Sequence, residues 1–245
     1  MHPGIIAATA AEARILAKVP ITAGGVTCLP EGSMVLLSGM GANRVRSAAR
    51  TLLEKGATSL VSWGFAGGLL PGVPAGSLIL PEHIVAADQT VYKVDPFWHE
   101  ELRSRLGAYV GLYRGTLAES AAVLADSAAK TAFFHRTGAT AVDMESASIA
   151  MAAKEANVPF MVIRAIMDGA EMVIPRSILN SIDEFGRVHP SRLLSCLVRR
   201  PAELMALIRL GRNFQAARAT LTAVVRQAGS NMLCPRNGKY AVIGG

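Results

Sequence analysis

The chain has 245 residues, of which 51% are hydrophobic but only 5% aromatic, and its formal net charge is +7. This length suits one large α/β domain or two small ones, with a core built mainly of Ala, Val, Ile and Leu. The three cysteines are odd in number and widely spaced, so they suggest neither a disulfide framework nor a zinc site, and we expect a reducing, cytoplasmic setting.

The positive charge lies in the C-terminal quarter, because residues 186–229 hold eight arginines and one glutamate whereas residues 1–185 are nearly neutral. His2-Pro3-Gly4 leads directly into an apolar run without a basic segment, so we expect no secretory leader. Residues 56–81 are uncharged, but their repeated glycines and prolines would break a membrane-spanning helix. We interpret them as a strand, a glycine turn and a second strand.

Apolar runs predict strands, and segments with helical spacing predict helices. In chain order the predicted elements are a strand at 4–8, a helix at 10–18, a strand at 34–38, a helix at 43–55, strands at 59–63, 77–80 and 84–87, a helix at 118–134, a strand ending at 143, a helix to 155, a strand at 160–166, and helices at 190–200 and 201–229. This alternation predicts a three-layer α/β/α sandwich with a central mixed, largely parallel sheet, followed by C-terminal amphipathic helices.

Glycines and acids recur where the predicted strands end, which is where ligands bind in folds of this class. Glu145 follows one such strand and Asp168 follows another. A desolvated carboxylate costs several kcal/mol unless something satisfies it, so two acids at strand ends favour chemistry over packing. We expect Glu145 and Asp168 to lie on opposite sides of one small ligand.

Each of these features also has a purely structural interpretation. Gly39-Met40-Gly41 lacks the third glycine and the acid of a dinucleotide-binding motif, which leaves a tight turn. The five residues Gly64–Gly68 indicate a close approach of the backbone either to a ligand or to a neighbouring helix. Glu145 alone would complement a helix dipole, and Asp168 alone would cap a helix or lie in a loop. Only their joint placement favours a site.

That combination resembles the nucleoside phosphorylase and nucleosidase superfamily over roughly residues 3–185. The most specific segments are Val142-Asp143-Met144-Glu145 and Arg164-Ala165-Ile166-Met167-Asp168, together with their spacing. Gly4-Ile5-Ile6 with Glu12, Ser38–Gly41 and Gly64–Leu69 support it. The resemblance implies cleavage of the N-glycosidic bond of a purine nucleoside, with no metal or organic cofactor and at least a homodimer.

The resemblance also implies roles that suit the chemistry of the side chains. Glu145 would accept hydrogen bonds from both ribose hydroxyls, and Met144 would pack against the sugar. Asp168 would protonate N7 of the purine, which requires a raised pKa, and Glu12 would activate water. The transition state would resemble an oxocarbenium ion. The remaining predicted substrate contacts are Asp143, Gly41, Phe65, Gly67 and Met167.

Two departures bear on the nucleophile. Phosphorolytic members of the family hold phosphate with an arginine and a serine or threonine, and Ser62 and Phe65 occupy the corresponding places here. With Glu12 present, this favours water as the nucleophile. Arg44 and Arg46 could still bind phosphate as a co-substrate, so a phosphorylase is the first alternative, and a non-catalytic nucleoside-binding or regulatory protein is the second. Met167 stands where nucleosidases commonly have a serine, which puts the purine contacts in question.

The basic C-terminal helices allow three interpretations: packing on the body with a solvated face, contact with an anionic membrane, or contact with nucleic acid. The third is the weakest because aromatic stacking residues are scarce there. Together with Val142–Ser146, this segment resembles the hopanoid-biosynthesis-associated branch, whose members are thought to release adenine from adenosylhopane. A lipid-linked substrate implies a peripheral position on the inner face of the cytoplasmic membrane. Candidates for an apolar opening are Phe65, Phe133, Phe134 and residues 172–175.

The predicted organisation is a nucleoside phosphorylase-like domain at 1–186, a basic helical extension at 187–229, and a tail at 230–245. The predicted partners are an adenine nucleoside, a second copy of the chain and an anionic membrane surface, but no nucleic acid.

Overall fold

The computed structural model describes residues 2–17, 21–107, 111–229 and 232. Within these ranges, eleven strands form one mixed sheet. The strands are Pro3–Ala7 (β1), Val26–Cys28 (β2), Met34–Leu37 (β3), Ser59–Gly68 (β4), Leu78–Ile79 (β5), His83–Val85 (β6), Val91–Lys93 (β7), Leu112–Tyr113 (β8), Thr116–Glu119 (β9), Ala141–Asp143 (β10) and Phe160–Asp168 (β11).

Strand β4 lies at the centre, since it pairs in parallel with β1 and β11 and in antiparallel fashion with β10. The order runs β2-β3-β1-β4-β10-β9-β6-β7, while β11 continues to β5 and β8. Parallel pairs prevail, so the predicted mixed, largely parallel sheet is confirmed. As a result, the carboxyl ends of β1, β4 and β11 meet at one edge of the sheet.

Helices cover both faces of the sheet, which confirms the three-layer prediction. Helices α2 and α5 pack together against β1 and β4, whereas α8 lies along β11 and contacts α1 and α3. The helices are Ala10–Leu16 (α1), Ala42–Glu54 (α2), Pro96–Leu106 (α3), Ser127–Thr137 (α4), Ser146–Glu155 (α5), Arg176–Leu179 (α6), Pro190–Arg199 (α7) and Leu204–Ala228 (α8).

The helix predicted at 118–134 is wrong in its first part. Ala118 belongs to strand β9, which pairs with β10 on one side and β6 on the other. Helix α4 begins only after Asp126, whose side chain accepts a hydrogen bond from Ala129 N–H at 2.7 Å. Sheet pairing therefore overrides the alanine-rich composition before that cap.

Helix α3 was missed, although its start has a recognisable signal. Asp95 caps it by accepting from Trp98 N–H at 2.9 Å, and Pro96 occupies the first turn. The Trp98 ring is fully buried, and its Nε1–H donates to the carbonyl of Met232 at 2.7 Å. Apart from Met232, the predicted tail at 230–245 lies outside the described residues.

The two predicted C-terminal helices are present, joined by a single 3₁₀ turn at Pro201–Glu203. Ala217, Leu221 and Val224 of α8 belong to the main hydrophobic core. No described helix combines the length and the apolar content that crossing a bilayer requires. The core residues of α8 make it part of the folded body, with one face buried and arginines on the other.

Candidate active site

Glu12 is the first acid of the site, and the start of α1 positions it. Its Oε2 accepts a hydrogen bond from Thr9 N–H at 2.7 Å, and the Thr9 hydroxyl accepts from Glu12 N–H, which completes a capping box. Its Oε1 accepts from Phe65 N–H at 2.8 Å. Glu12 is only 3% exposed, and its carboxylate is held between α1 and the carboxyl end of β4.

Gly64 makes this arrangement possible because no side chain would fit at its position. A Cβ there would lie 2.1 Å from Glu12 Oε1 and 2.5 Å from Arg164 Nη1, and the backbone φ of Gly64 is +155°. The glycine-rich end of β4 therefore allows the Glu12 carboxylate and the Arg164 guanidinium to approach the backbone closely. The close approach predicted for this segment is thus made by side chains of helix α1 and of strand β11.

Arg164 is a buried charge that the sequence analysis assigned to no role. Its Nη2 lies 2.6 Å from Asp143 Oδ2 and donates to the hydroxyls of Ser62 at 2.8 Å and Ser146 at 3.2 Å. An arginine inside an otherwise apolar strand was the available signal, since a buried guanidinium requires partners. It links β11 to β4 and to the start of α5.

Asp143 serves mainly to organise the turn between β10 and α5. Its Oδ1 accepts from the backbone of Glu145 at 3.3 Å and of Ser146 at 3.1 Å, and its Oδ2 pairs with Arg164. It lines the cavity described below, and its Oδ2 also accepts from the Ser146 hydroxyl, so each of its oxygens has two partners within the protein. The predicted contact of Asp143 with the substrate stays a prediction.

Glu145 follows at the start of α5 but does not cap that helix with its side chain. Its Oε1 accepts from Gly41 N–H at 3.2 Å and its Oε2 from Met144 N–H at 3.2 Å. Gly41, with a φ of +106°, turns its N–H toward the acid. Burial and the neighbouring Asp143 raise the pKa of Glu145 to about 7, although Arg164 opposes the shift.

Asp168 ends β11 just after a register shift, so that Met167 has no partner on β4 while Asp168 faces Gly67. The structure brings it against Lys130 of α4, whose Nζ lies 2.6 Å from Asp168 Oδ2 with both side chains buried. Burial raises the pKa of Asp168, and the Lys130 ammonium acts in the opposite direction. Burial likewise raises the pKa of Glu12, with Arg164 opposing.

Glu12, Glu145 and Asp168 line one cavity of about 510 Å³, a volume typical of small-molecule sites. Eight predicted site residues line it: Glu12, Phe65, Gly67, Asp143, Met144, Glu145, Met167 and Asp168. Gly41 does not line it but binds Glu145. Lys130 lines it as well and was missed, because a lysine among alanines predicts an exposed position.

Arg44 and Arg46 lie outside the lining of this cavity. Arg44 is half-exposed, stacks over the Phe185 ring at 5.9 Å and lies 3.9 Å from Glu184. Arg46 Nη2 lies 3.9 Å from Met151 Sδ. Among the residues that the structure describes, no group of three His, Cys, Asp or Glu side chains is arranged to hold a metal ion.

Much of the lining of the cavity is apolar and comes from the C-terminal third of the chain. Its lining includes Ile174, Ile178, Leu179, Ile182, Val188, Leu193, Leu207, Leu210 and Phe214. Phe65 also lines it, with its ring 5.3 Å from that of Phe214. Phe133 and Phe134, which were predicted to form part of an apolar opening, do not line this cavity and pack in a smaller cluster with Leu69.

Comparison with protein families matches residues 4–187 to the phosphorylase superfamily. The chain belongs to this superfamily, which confirms the prediction of an enzyme of the nucleoside phosphorylase and nucleosidase class. A comparison with curated protein sequences finds no match.

Solved structures share the fold. The 5′-methylthioadenosine/S-adenosylhomocysteine nucleosidase of Neisseria meningitidis, in complex with methylthio-immucillin-A, is 17% identical with a TM-score of 0.68, covering 95% of this chain and 98% of its own. Futalosine hydrolase of Helicobacter pylori is 15% identical with a TM-score of 0.69, covering 95% and 97%. The S. pneumoniae nucleosidase is 18% identical with a TM-score of 0.62, covering 91% and 99%. The coverage shows that the likeness extends into the C-terminal helices.

Proposed function

We propose that the protein is a nucleosidase that releases adenine from an adenine nucleoside and uses water as the nucleophile. The observation that carries this proposal is the meeting of three buried carboxylates, from Glu12, Glu145 and Asp168, around one cavity. Acids in separate environments can take separate roles in one reaction. Family membership and the fold of two kinds of nucleosidase support it.

Each acid has a task that its surroundings suit. Glu145 accepts hydrogen bonds from the two ribose hydroxyls, and Met144 provides an apolar surface for the sugar. Asp168, with a raised pKa, gives a proton to N7 as the glycosidic bond lengthens. Glu12 takes a proton from the water that attacks C1′.

Water is favoured over phosphate by the charge of the cavity. The acids there would repel a phosphate dianion, and Lys130, the basic residue of the described lining, is already bound to Asp168. The hydroxyl of Ser62 is engaged by Ser146 at 2.9 Å and by Arg164. Phosphorolysis remains the alternative if Arg44 moves toward the cavity when substrate binds.

We therefore expect adenine release from adenosine in phosphate-free buffer at the same rate as in millimolar phosphate, with free ribose as the second product. Glu12→Gln should lower that rate by about two to four orders of magnitude, because the amide cannot accept the proton of water. Chromatography of the products, with and without phosphate, is the measurement. Ribose 1-phosphate as the product, or a strict need for phosphate, would show that the enzyme is a phosphorylase.

We further propose that the 5′ carbon of the nucleoside carries a large apolar group, with adenosylhopane of hopanoid biosynthesis as the substrate. The support is the apolar part of the cavity lining that comes from the segment between Ile174 and Phe214. A lipid-linked nucleoside would place its base among the acids and its ring system among the aliphatic side chains of α6 to α8. A substrate of this kind stays in the bilayer, so the enzyme must reach it there.

The exposed face of α7 and α8 suits such an encounter, and we propose that it contacts an anionic membrane. Among the described residues, half of the exposed large apolar side chains lie here: Leu194, Val198, Leu204, Met205 and Ile208. Exposed arginines alternate with them: Arg192, Arg199, Arg200, Arg209 and Arg212. Apolar side chains flanked by arginines favour the headgroup region of anionic lipid, and this face borders the residues that line the cavity.

Val198→Asp combined with Met205→Asp should reduce binding to vesicles containing phosphatidylglycerol by more than about tenfold, because each substitution removes an apolar side chain that would be buried in the lipid. Val91→Asp, at a side chain that is 52% exposed on β7, is the matched control and should bind like wild type. Point variants are preferable to truncation because α8 supplies core residues. Cosedimentation at low and high salt is the measurement.

Equal binding by the double variant would remove the membrane proposal. A change from dimer to monomer in the same variant, measured by sedimentation velocity, would show that this face is a subunit interface instead.

A further inference from the structure

Lys130 is a charged side chain that is completely buried in the wall of the active-site cavity. It lies near the start of α4. Its Nζ donates to Asp168 Oδ2 at 2.6 Å, to the carbonyl of Gly169 at 2.8 Å and to that of Met172 at 3.0 Å. Three acceptors saturate an ammonium group, so Lys130 has no N–H left for a substrate. Any effect on the reaction must therefore pass through Asp168 or through the loop that carries Gly169 and Met172.

The pair has a defined geometry on the Asp168 side as well. Because Lys130 Nζ donates its hydrogen bond to Oδ2 of Asp168, Oδ1 of Asp168 is the oxygen available to a ligand in the cavity. A buried ion pair is costly unless it is well hydrogen-bonded, and here Lys130 of α4 and Asp168 of β11 are 38 residues apart in sequence. A buried aspartate that only had to be protonated would need no such partner. The arrangement suits a group that changes charge during the reaction.

We propose that Lys130 is a positioning residue that directs Oδ1 of Asp168 toward the leaving purine and stabilises the carboxylate left after proton transfer. The inference rests on the proposed nucleosidase function and deepens it. The C1′–N9 bond breaks with its electron pair passing to the base, the Oδ1–H bond breaks, and an N7–H bond forms. The carboxylate that remains lies beside the ammonium of Lys130.

The rest of the cycle balances with one water. Water forms a bond to C1′ and loses its proton to Glu12. Solvent then carries a proton from Glu12 back to Asp168 before the next turnover. Lys130 keeps its three hydrogen bonds throughout and neither gains nor loses a proton.

A structural role is the competing explanation, because Lys130 also fastens the loop at Gly169 and Met172. The two explanations predict different results for a substrate whose leaving group needs no proton. Adenine needs one at N7, whereas 4-nitrophenolate leaves as a stable anion. A residue that acts through the proton of Asp168 affects only the first kind of substrate.

The test compares Lys130→Gln with the wild-type protein on adenosine and on 4-nitrophenyl β-D-ribofuranoside. Gln keeps N–H donors for the carbonyl oxygens but removes the charge. We expect adenine release to fall by about 10- to 100-fold, as for the loss of an ion pair worth one to two pKa units, while release of 4-nitrophenolate stays near the wild-type rate. Equal losses on both substrates, or no loss on either, would overturn the proposal.

A double-mutant cycle covers the case in which Lys130→Gln folds poorly. In the Asp168→Asn background the acid is already absent, so adding Lys130→Gln should cause no further loss of adenine release. A further loss would mean that Lys130 acts independently of Asp168. Wild-type protein that releases no base from any purine nucleoside would refute the proposed function itself, which is a different result from either outcome for Lys130.

Discussion

Replacement of Asp168 by asparagine is expected to lower the rate of adenine release by about two to four orders of magnitude, the range typical of a lost general acid. Asparagine has nearly the same shape but cannot give a proton to N7. Its amide oxygen can still accept a hydrogen bond from Lys130 Nζ, so the wall of the cavity should persist. Single-turnover chromatography of adenine is the measurement.

Stability must be measured alongside, because the substitution leaves the buried ammonium of Lys130 without its counter-charge. Breaking a buried pair from one side costs about 3–5 kcal/mol. The double variant Lys130→Gln with Asp168→Asn is the control. Neither of its two side chains is charged, so it should recover part of the lost free energy of unfolding. A folded Asp168→Asn variant with the wild-type rate would show that Asp168 is not the general acid, whereas a wild-type protein that binds nucleoside but releases no adenine would support a non-catalytic nucleoside-binding protein.

Replacement of Glu145 by glutamine should stabilise the protein at pH 8 while weakening nucleoside binding. The native protein holds the pKa of Glu145 at about 7, against an ordinary value of 4.5, so the folded state binds this proton more tightly than the unfolded state. Its stabilising effect is complete below pH 4.5 and is lost as the pH rises toward 7. That loss amounts to about 3 kcal/mol at the top of the window.

Glutamine carries no charge, so the variant does not lose stability as the pH rises through this window. One of the two backbone N–H groups, at Gly41 or at Met144, then faces an amide nitrogen, which costs about 1 kcal/mol of stability. The variant should therefore exceed wild type by about 2 kcal/mol at pH 8 and lose its advantage at pH 4.5. Urea unfolding of both proteins at the two pH values is the measurement. A constant difference between them would show that Glu145 does not titrate in this window.

The same substitution should weaken binding of a ribose-containing inhibitor by about 10- to 100-fold, since hydrogen bonds to a charged carboxylate are worth about 1.5–3 kcal/mol. Loss of stability together with loss of binding would indicate general damage to the site. A gain in stability with a loss of binding is the result expected when a carboxylate is kept at a desolvated position for function.

Much of the inner site could be predicted because its signals are local. An apolar strand that ends on Asp168, and another that leads to Glu145, place both acids at the same edge of a parallel sheet. The glycines around Gly64 indicated a close approach of the backbone, and the structure shows Glu12 and Arg164 there. Periodicity also predicted α7 and α8, although the predicted start of α8 included Pro201–Glu203, which form a 3₁₀ turn.

Other features depend on contacts between distant segments, and no local pattern reports them. Lys130 was placed in a helix without a role because its partner lies 38 residues further along the chain. The arginines of α8 correctly indicated an exposed face, but the pattern did not show that Leu207, Leu210 and Phe214 line the cavity. Amphipathic spacing reports that one face is buried, not what it is buried against.

The sequence by itself determined the layered α/β fold through its hydrophobic periodicity, and its resemblance to the superfamily singled out the three acids. Tertiary structure alone decided which charge meets each acid and which helices contribute the apolar lining of the cavity. The physical reason is that the pKa of a carboxylate depends on desolvation and on charges a few ångströms away, and folding brings those groups together from remote parts of the chain.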